Sequence, residues 1–330
     1  SLDVSANTAL TELTCYDNQL TSLDVSTNTA LTYLNLGNNQ LTALDVSNNT
    51  ALTALDCGIN QLTSLDVSSN TALTYLDCHD NQLTSLDVSS NTFLHELTCK
   101  KNQLTSLDVS SNTALTFLQC EENQLTGLDV SNNLDIDHLF CGENQLTYLD
   151  LSSNTALTNL LCNINQLIYL NMNNGVTDQL AEFNATDNSL DCIEVNAEDV
   201  AYATENWTSE NNNIDEGVEF SVVCAPEGYT YVPDDNFEQA LIDLGYDDVV
   251  NDFVLTENIS GVTGLDVSEK EISDLTGIED FTALTYLNCY ANQLTSLDVS
   301  SNTALDYLDC SANELTALDV SVNTALEILK

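Results

Sequence analysis

One phrase of 21 residues recurs without a break from Leu2 to Tyr169. It reads LDVSSNTALTYLDCHDNQLTS from Leu65, LDVSSNTFLHELTCKKNQLTS from Leu86 and LDVSSNTALTFLQCEENQLTG from Leu107. A fixed period of this length builds a solenoid. Each repeat is one coil that buries its apolar face only against its neighbours. The period constrains the fold more than any other feature and says little about what the molecule holds.

Each repeat contains the same pattern twice. LTYLDCHDNQ from Leu73 and LTSLDVSSNTA from Leu83 both fit LxxLxLxxN. Around the second and third apolar positions, residues alternate inward and outward, as in a short strand. Strand A of one coil is Tyr75-Leu76-Asp77-Cys78, with Leu76 and Cys78 inward. Strand B is Ser85-Leu86-Asp87-Val88, with Leu86 and Val88 inward. Stacking the coils, about 4.8 Å apart, predicts two parallel sheets, one on each side. The pattern resembles the LxxLxLxxNxL of leucine-rich repeats. Its nested alternation is similar to the bacterial subclass called IRREKO. The resemblance covers residues 2–169 and again about 284–329. It implies a mainly β repeat solenoid that serves as a binding scaffold. With strands on both sides, only gentle curvature is expected.

Two files of asparagine follow the period. One includes Asn39, Asn60, Asn81 and Asn102, and the other Asn28, Asn49, Asn70 and Asn91. An amide offers donors and an acceptor, so a buried Asn at a turn can satisfy the loop backbone of its own and an adjacent coil.

The 52 acidic residues face only 4 basic ones, none of them arginine, for a formal charge of −48. Phosphate backbones and anionic headgroups are repelled by such a surface, which excludes nucleic acid and anionic membrane as partners. The charge serves either solubility or cation binding. No apolar run is long enough for a membrane-spanning helix, so no membrane insertion is expected. The opening residues carry no signal core, so a leader, if the full protein has one, lies outside them.

Nine of the 11 cysteines, Cys15, Cys57, Cys78, Cys99, Cys120, Cys141, Cys162, Cys289 and Cys310, take the third apolar position of strand A. A single file of inward thiols among leucines reads as apolar packing, because zinc needs convergent ligands from turns. Cys192 and Cys224 break the pattern, and between them the chain leaves the repeat. A terminal coil must hide its open end. The segment resembles the C-terminal cap of surface leucine-rich proteins of Bacteroidetes-type bacteria. A Cys192–Cys224 disulfide is expected, and with it an oxidising, extracellular or cell-surface setting.

After Cys224 the texture changes. Asp234 or Asp235 suits the N-cap of a short helix carrying Phe237, Leu241 and Leu244, which Gly245 ends. A repeat of 22 residues then runs from Val262 to Leu284 and resembles the internalin type, before the 21-residue form resumes. The expected organisation is a repeat array over 1–191, a C-terminal cap over 192–224, a linker and helical N-terminal cap over 225–261, and a second array over 262–330. Ser1 precedes a strand B and Lys330 stops before a strand A cysteine position. A short CxxNQLT-like piece between them would restore the phase. The chain is therefore expected to be a fragment of a longer repeat protein or to stack head-to-tail on another copy.

Catalysis needs a nucleophile beside a base, or sheltered carboxylates. His79, His95 and His138 lie on different coils, and no phosphate loop, HExxH or EF-hand loop occurs. No enzyme and no obligate cofactor is expected. Calcium, or sodium between adjacent carboxylates, is the candidate ion. Asp66 and Asp87 belong to an outward file on strand B, where charges about 4.8 Å apart repel by roughly 0.9 kcal/mol in water. Hydroxyls of flanking serines such as Ser64 and Ser68, or calcium, would relieve this. Asp234, Asp235, Asp247 and Asp248 form a second candidate cluster.

Strand B is monotonous and strand A is not. The outward positions of strand A read Glu12, Tyr33, Ala54, Tyr75, Glu96, Phe117 and His138 in one file, with Phe140 in the next. Where geometry alone dictates a residue, all coils should agree. Disagreement marks either drift or a face tuned for a partner, and the exposed aromatics favour the partner. Tyr33, Tyr75, Glu96, Phe117, His138 and Phe140 are the candidate binding residues for a protein or glycan. Lys100 and Lys101 lie between His79/Asp80 and Glu121/Glu122 and read as cross-strand ion pairs. The alternative function is a structural or adhesive spacer that stacks end to end with no specific ligand.

Overall fold

The computed structural model describes residues 2–226 and 228–330. The chain divides into two compact units, Ser1–Cys224 and Ala225–Lys330.

In the first unit, the strand A segments form a nine-stranded parallel sheet that runs from Glu12–Thr14 to Glu182–Asn184. Each three-residue strand pairs with its equivalent one coil on, so Tyr75 lies in register with Glu96 and Glu96 with Phe117. The apolar positions of the phrase all turn inward. Leu73, Leu76, Cys78, Leu83 and Val88 have no exposed surface and Leu86 is buried. Each such leucine contributes about 1.5–3 kcal/mol by leaving water. The nine cysteines outside the cap are free and buried.

The second side departs from the two-sheet expectation in extent. Parallel strands occur there only in the late coils, in a four-stranded sheet of Tyr148–Asp150, Tyr169–Met172, Cys192–Val195 and Glu219–Ser221. Earlier coils run extended and close in turns. In those turns Asp66 Oδ1 accepts the Ser68 N–H at 2.9 Å and the Asn70 N–H bonds the Val67 carbonyl. The first residue of the segment is Ser64, Ser85, Ser106 or Gly127 in coils where no ladder forms, and Tyr148 and Tyr169 in two coils where one does. Tyrosine favours a pleated surface and glycine and serine do not. The Tyr148 and Tyr169 rings pack 4.9 Å apart across the ladder.

The asparagine files serve as expected, though unequally. Asn81 Nδ2 donates to the carbonyls of Cys78 and His79 in its own turn and of Cys57 one coil back, while its Oδ1 accepts the Leu62 N–H. This holds a turn whose neighbouring residue, Asp80, has φ 53°, a left-handed conformation costly for most side chains. On the other side, Asn70 Nδ2 donates to Val46 and Asn49, but its buried Oδ1 has no partner.

The unit closes on helix α1 (Val200–Asn206) and the Cys192–Cys224 disulfide. Trp207, which follows the helix, packs on Phe183 at 4.1 Å and Phe220 at 5.8 Å and seals the last coil. Buried Glu194 accepts the Tyr169 hydroxyl at 3.2 Å and the Cys224 N–H at 3.3 Å.

The second unit opens with an antiparallel pair, Tyr229–Tyr231 with Phe253–Leu255. Helix α2 (Asp235–Asp243) lies between them, capped by Asp234, whose Oδ1 accepts the Asn236 and Phe237 N–H groups. Phe237 and Leu241 are buried, but Leu244 is 45% exposed, because the helix has ended before it and Gly245 turns the chain at φ 80°. A four-stranded parallel sheet then begins at Gly264–Asp266, offset by the longer repeat, and proceeds through Tyr286–Asn288, Tyr307–Asp309 and Ile328–Leu329.

Candidate binding face

Alternation in strand A sends Leu76 into the core and leaves Tyr75 and Asp77 on the surface of the sheet. The same rule aligns the variable residues of neighbouring coils in files. Phe117 is in register with His138, and Gln119 with Phe140. The rings of Phe117, His138 and Phe140 form a triangle, with centroids 5.6, 5.7 and 6.0 Å apart, and all three remain half-buried. Candidates from two neighbouring coils thus make one aromatic patch. Glu96 is exposed between Tyr75 and Phe117. Tyr33 stands apart, since Ala54 separates it from Tyr75.

The carboxylates around the patch follow from the same stacking. Asp137 Oδ1 holds His138 Nδ1 at 2.6 Å. Glu121 Oε2 accepts from Gln119 Nε2 at 2.7 Å. Lys101 pairs with Glu122 at 3.3 Å, the cross-strand contact its position implied.

Farther along lies a pair that sequence reasoning did not single out. His79 Nδ1 meets Asp77 Oδ1 at 2.6 Å, and the Tyr75 hydroxyl points to Asp77 Oδ2 at 3.4 Å. The hydrogen bond to Asp77 raises the His79 pKa above its ordinary value, and burial raises that of Asp56 on the adjacent strand. Gly58 makes the arrangement possible, because a Cβ there would overlap the His79 ring. The legible signal was the Asp-Cys-His spacing that ends strand A, which puts Asp77 and His79 on one face.

The calcium candidates occupy two settings. Asp66 is on the exposed second side, where the Ser68 hydroxyl and N–H hold its pKa below the ordinary carboxylate value. Ser89 does the same for Asp87. Both oxygens of Asp234 are filled, since Oδ2 accepts from the Ser273 N–H, the Ser273 hydroxyl and the Asp274 N–H. Asp235 lies in the first turn of α2, and burial raises the pKa of Asp247, with Asp248 beside it. Among the described residues, no group of three or more His, Cys, Asp or Glu is placed to hold a metal ion. No helix among them is long and apolar enough to cross a membrane.

The leucine-rich-repeat family pattern, in two copies, matches residues 8–49. Internalin J of Listeria monocytogenes is 38% identical over 72 residues, which are 22% of this chain and 8% of that protein. The solved functional domain of InlJ from Listeria monocytogenes is 34% identical, covering 95% of this chain and 60% of that one at a TM-score of 0.57. The chain is similar to bacterial leucine-rich-repeat proteins of the internalin type. An internalin InlF from Listeria monocytogenes is also similar, at 21% identity and a TM-score of 0.49. The InlJ domain is described as including a cysteine ladder; here the buried thiols Cys57, Cys78, Cys99, Cys120, Cys141 and Cys162 stand in consecutive coils. The chain spans less than two thirds of the InlJ domain's length.

Proposed function

We propose that this internalin-like chain is a secreted or cell-surface binding module that holds a protein or glycan on the strand A face. The observation that carries this reading is the contrast within one chain. Strand B repeats its residues coil after coil, while strand A varies and gathers Phe117, His138 and Phe140 into one patch. Tyr33, Tyr75 and Glu96 extend that face. The Cys192–Cys224 disulfide supports an extracytoplasmic setting. In this reading residues 192–224 cap the first array, and the hairpin and α2 cap the start of the second.

The test is a protein and glycan array probed with the whole chain. Replacing Tyr75 and Phe117 with alanine should abolish capture while the melting temperature stays nearly unchanged. Replacing Asp66 and Asp87 with alanine should leave capture intact. Equal loss from both pairs refutes the assignment of the face, and no capture at all favours the spacer reading.

A further inference from the structure

The strand A surface already holds basic side chains from within the chain. In the second unit, Lys330 Nζ donates to the Tyr307 hydroxyl at 2.7 Å, 5.0 Å from the ring centroid, and lies 3.5 Å from Asp309 Oδ2. Tyr307 and Asp309 occupy outward positions two residues apart on one strand. In the first unit, Tyr75 and Asp77 hold the same two positions, and Asp77 there holds the His79 ring. A carboxylate two residues from a tyrosine on this sheet therefore holds a basic side chain in both units. A cation placed beside both groups draws on quadrupolar attraction to a ring face and on a charged hydrogen bond to a carboxylate.

The third aromatic patch has the same ingredients in greater number. Phe117, His138 and Phe140 lie within 6.0 Å of one another, centroid to centroid. Glu96 pairs in register with Phe117, Asp137 holds His138, and Glu121 holds the Gln119 that lies in register with Phe140. Resting on the reading of strand A as a binding face, we propose that this patch receives a cationic segment of a partner protein, with an arginine or lysine side chain seated on the rings inside the carboxylate frame. The charge balance selects the partner. A chain with 52 acidic and 4 basic residues repels anionic polymers and offers a second copy of itself no charge complementarity at this face. Arginine fits best, because its planar guanidinium stacks on a ring while its N–H groups fork to carboxylate.

The probe is a fluorescein-labelled ten-residue peptide alternating arginine and valine, compared with Gln-Val and Glu-Val versions and with maltohexaose, on the full chain. The Arg-Val peptide should bind, and the other three should bind at least about tenfold more weakly. Replacing Phe117 and Phe140 with alanine should weaken the Arg-Val peptide by about tenfold or more. So should the pair Glu121→Gln and Asp137→Asn, which removes no packed atoms and carries the test alone if the first pair disturbs the fold. The pair Asp66→Asn and Asp87→Asn makes the same change of charge on the other side and should leave binding within about twofold. Equal weakening by both charge pairs would show attraction by the diffuse field and overturn the patch. Gln-Val or maltohexaose bound at the patch as tightly as Arg-Val would overturn the cationic partner while leaving a binding face intact. No binding by any probe, with capture on the array still lost in Tyr75→Ala/Phe117→Ala, would also overturn the cationic partner and spare the face.

Discussion

The side-chain amide of Asn81 donates to the carbonyl of Cys57 at 3.1 Å, one coil back along the solenoid. Adjacent coils are thus joined at their turns as well as through their sheet. Asn81→Ala would remove three donated bonds and leave the Leu62 N–H without its acceptor. An expected cost of about 2–4 kcal/mol follows from losing several buried bonds and orphaning one donor. Asn70→Ala removes only two donated bonds and discards an acceptor that had no partner, so about 1–2 kcal/mol is expected. Urea denaturation of both variants measures the difference, and equal costs would contradict this account of the two files.

The thiols sort by depth. Burial pushes the pKa of Cys99 and Cys162 up to about 12 and raises that of Cys57, Cys78, Cys120 and Cys141. A buried protonated thiol is a poor nucleophile. After mild reduction of the native chain, alkylation at pH 8 should mark the half-buried Cys192 first, with slower labelling at the buried Cys224, Cys15 and Cys310. Labelling of Cys78 or Cys99 at a comparable rate would contradict the packing. Opening the disulfide, which closes a sequence separation of 32 residues, should cost about 2–4 kcal/mol.

Glu238 supplies a pH dependence. It has no exposed surface, and its oxygens accept the N–H groups of Asn251, Asp252 and Phe253. Burial prevails over those donors and moves its pKa up to about 7, and Asp247 is raised by burial as well. A carboxyl with a raised folded pKa favours the fold in acid. Its contribution is complete below the ordinary glutamate range and is lost as pH climbs through about 7. Hydrogen exchange of the 251–253 amides in the whole chain should therefore quicken from pH 4.5 to 7.5, after correction for intrinsic rates. Glu238→Gln should flatten that trend, and protection that rises with pH would reverse the assignment.

Most of the frame was legible in the residues. The inward Leu76 and Cys78, the asparagine files and the capping Asp234 each follow from period, alternation and local hydrogen-bonding capacity. Strand patterns on both sides predicted two parallel sheets, and both are present, the second over the later coils. An LxL alternation states which side chains face inward, but not whether the backbone bonds to its neighbour or closes its own turn.

The repeat by itself determined the coil, its core and the two outward files, because each follows from chemistry within about 21 residues and its copies. Only the tertiary structure decided what meets across coils: the Phe117–His138–Phe140 triangle, His79 lying against Gly58, Trp207 against Phe183, and Glu238 gathering the 251–253 amides. Those contacts depend on the register between strands and on where a loop returns. Such positions are set by packing over long separations, and a local pattern carries no term for them.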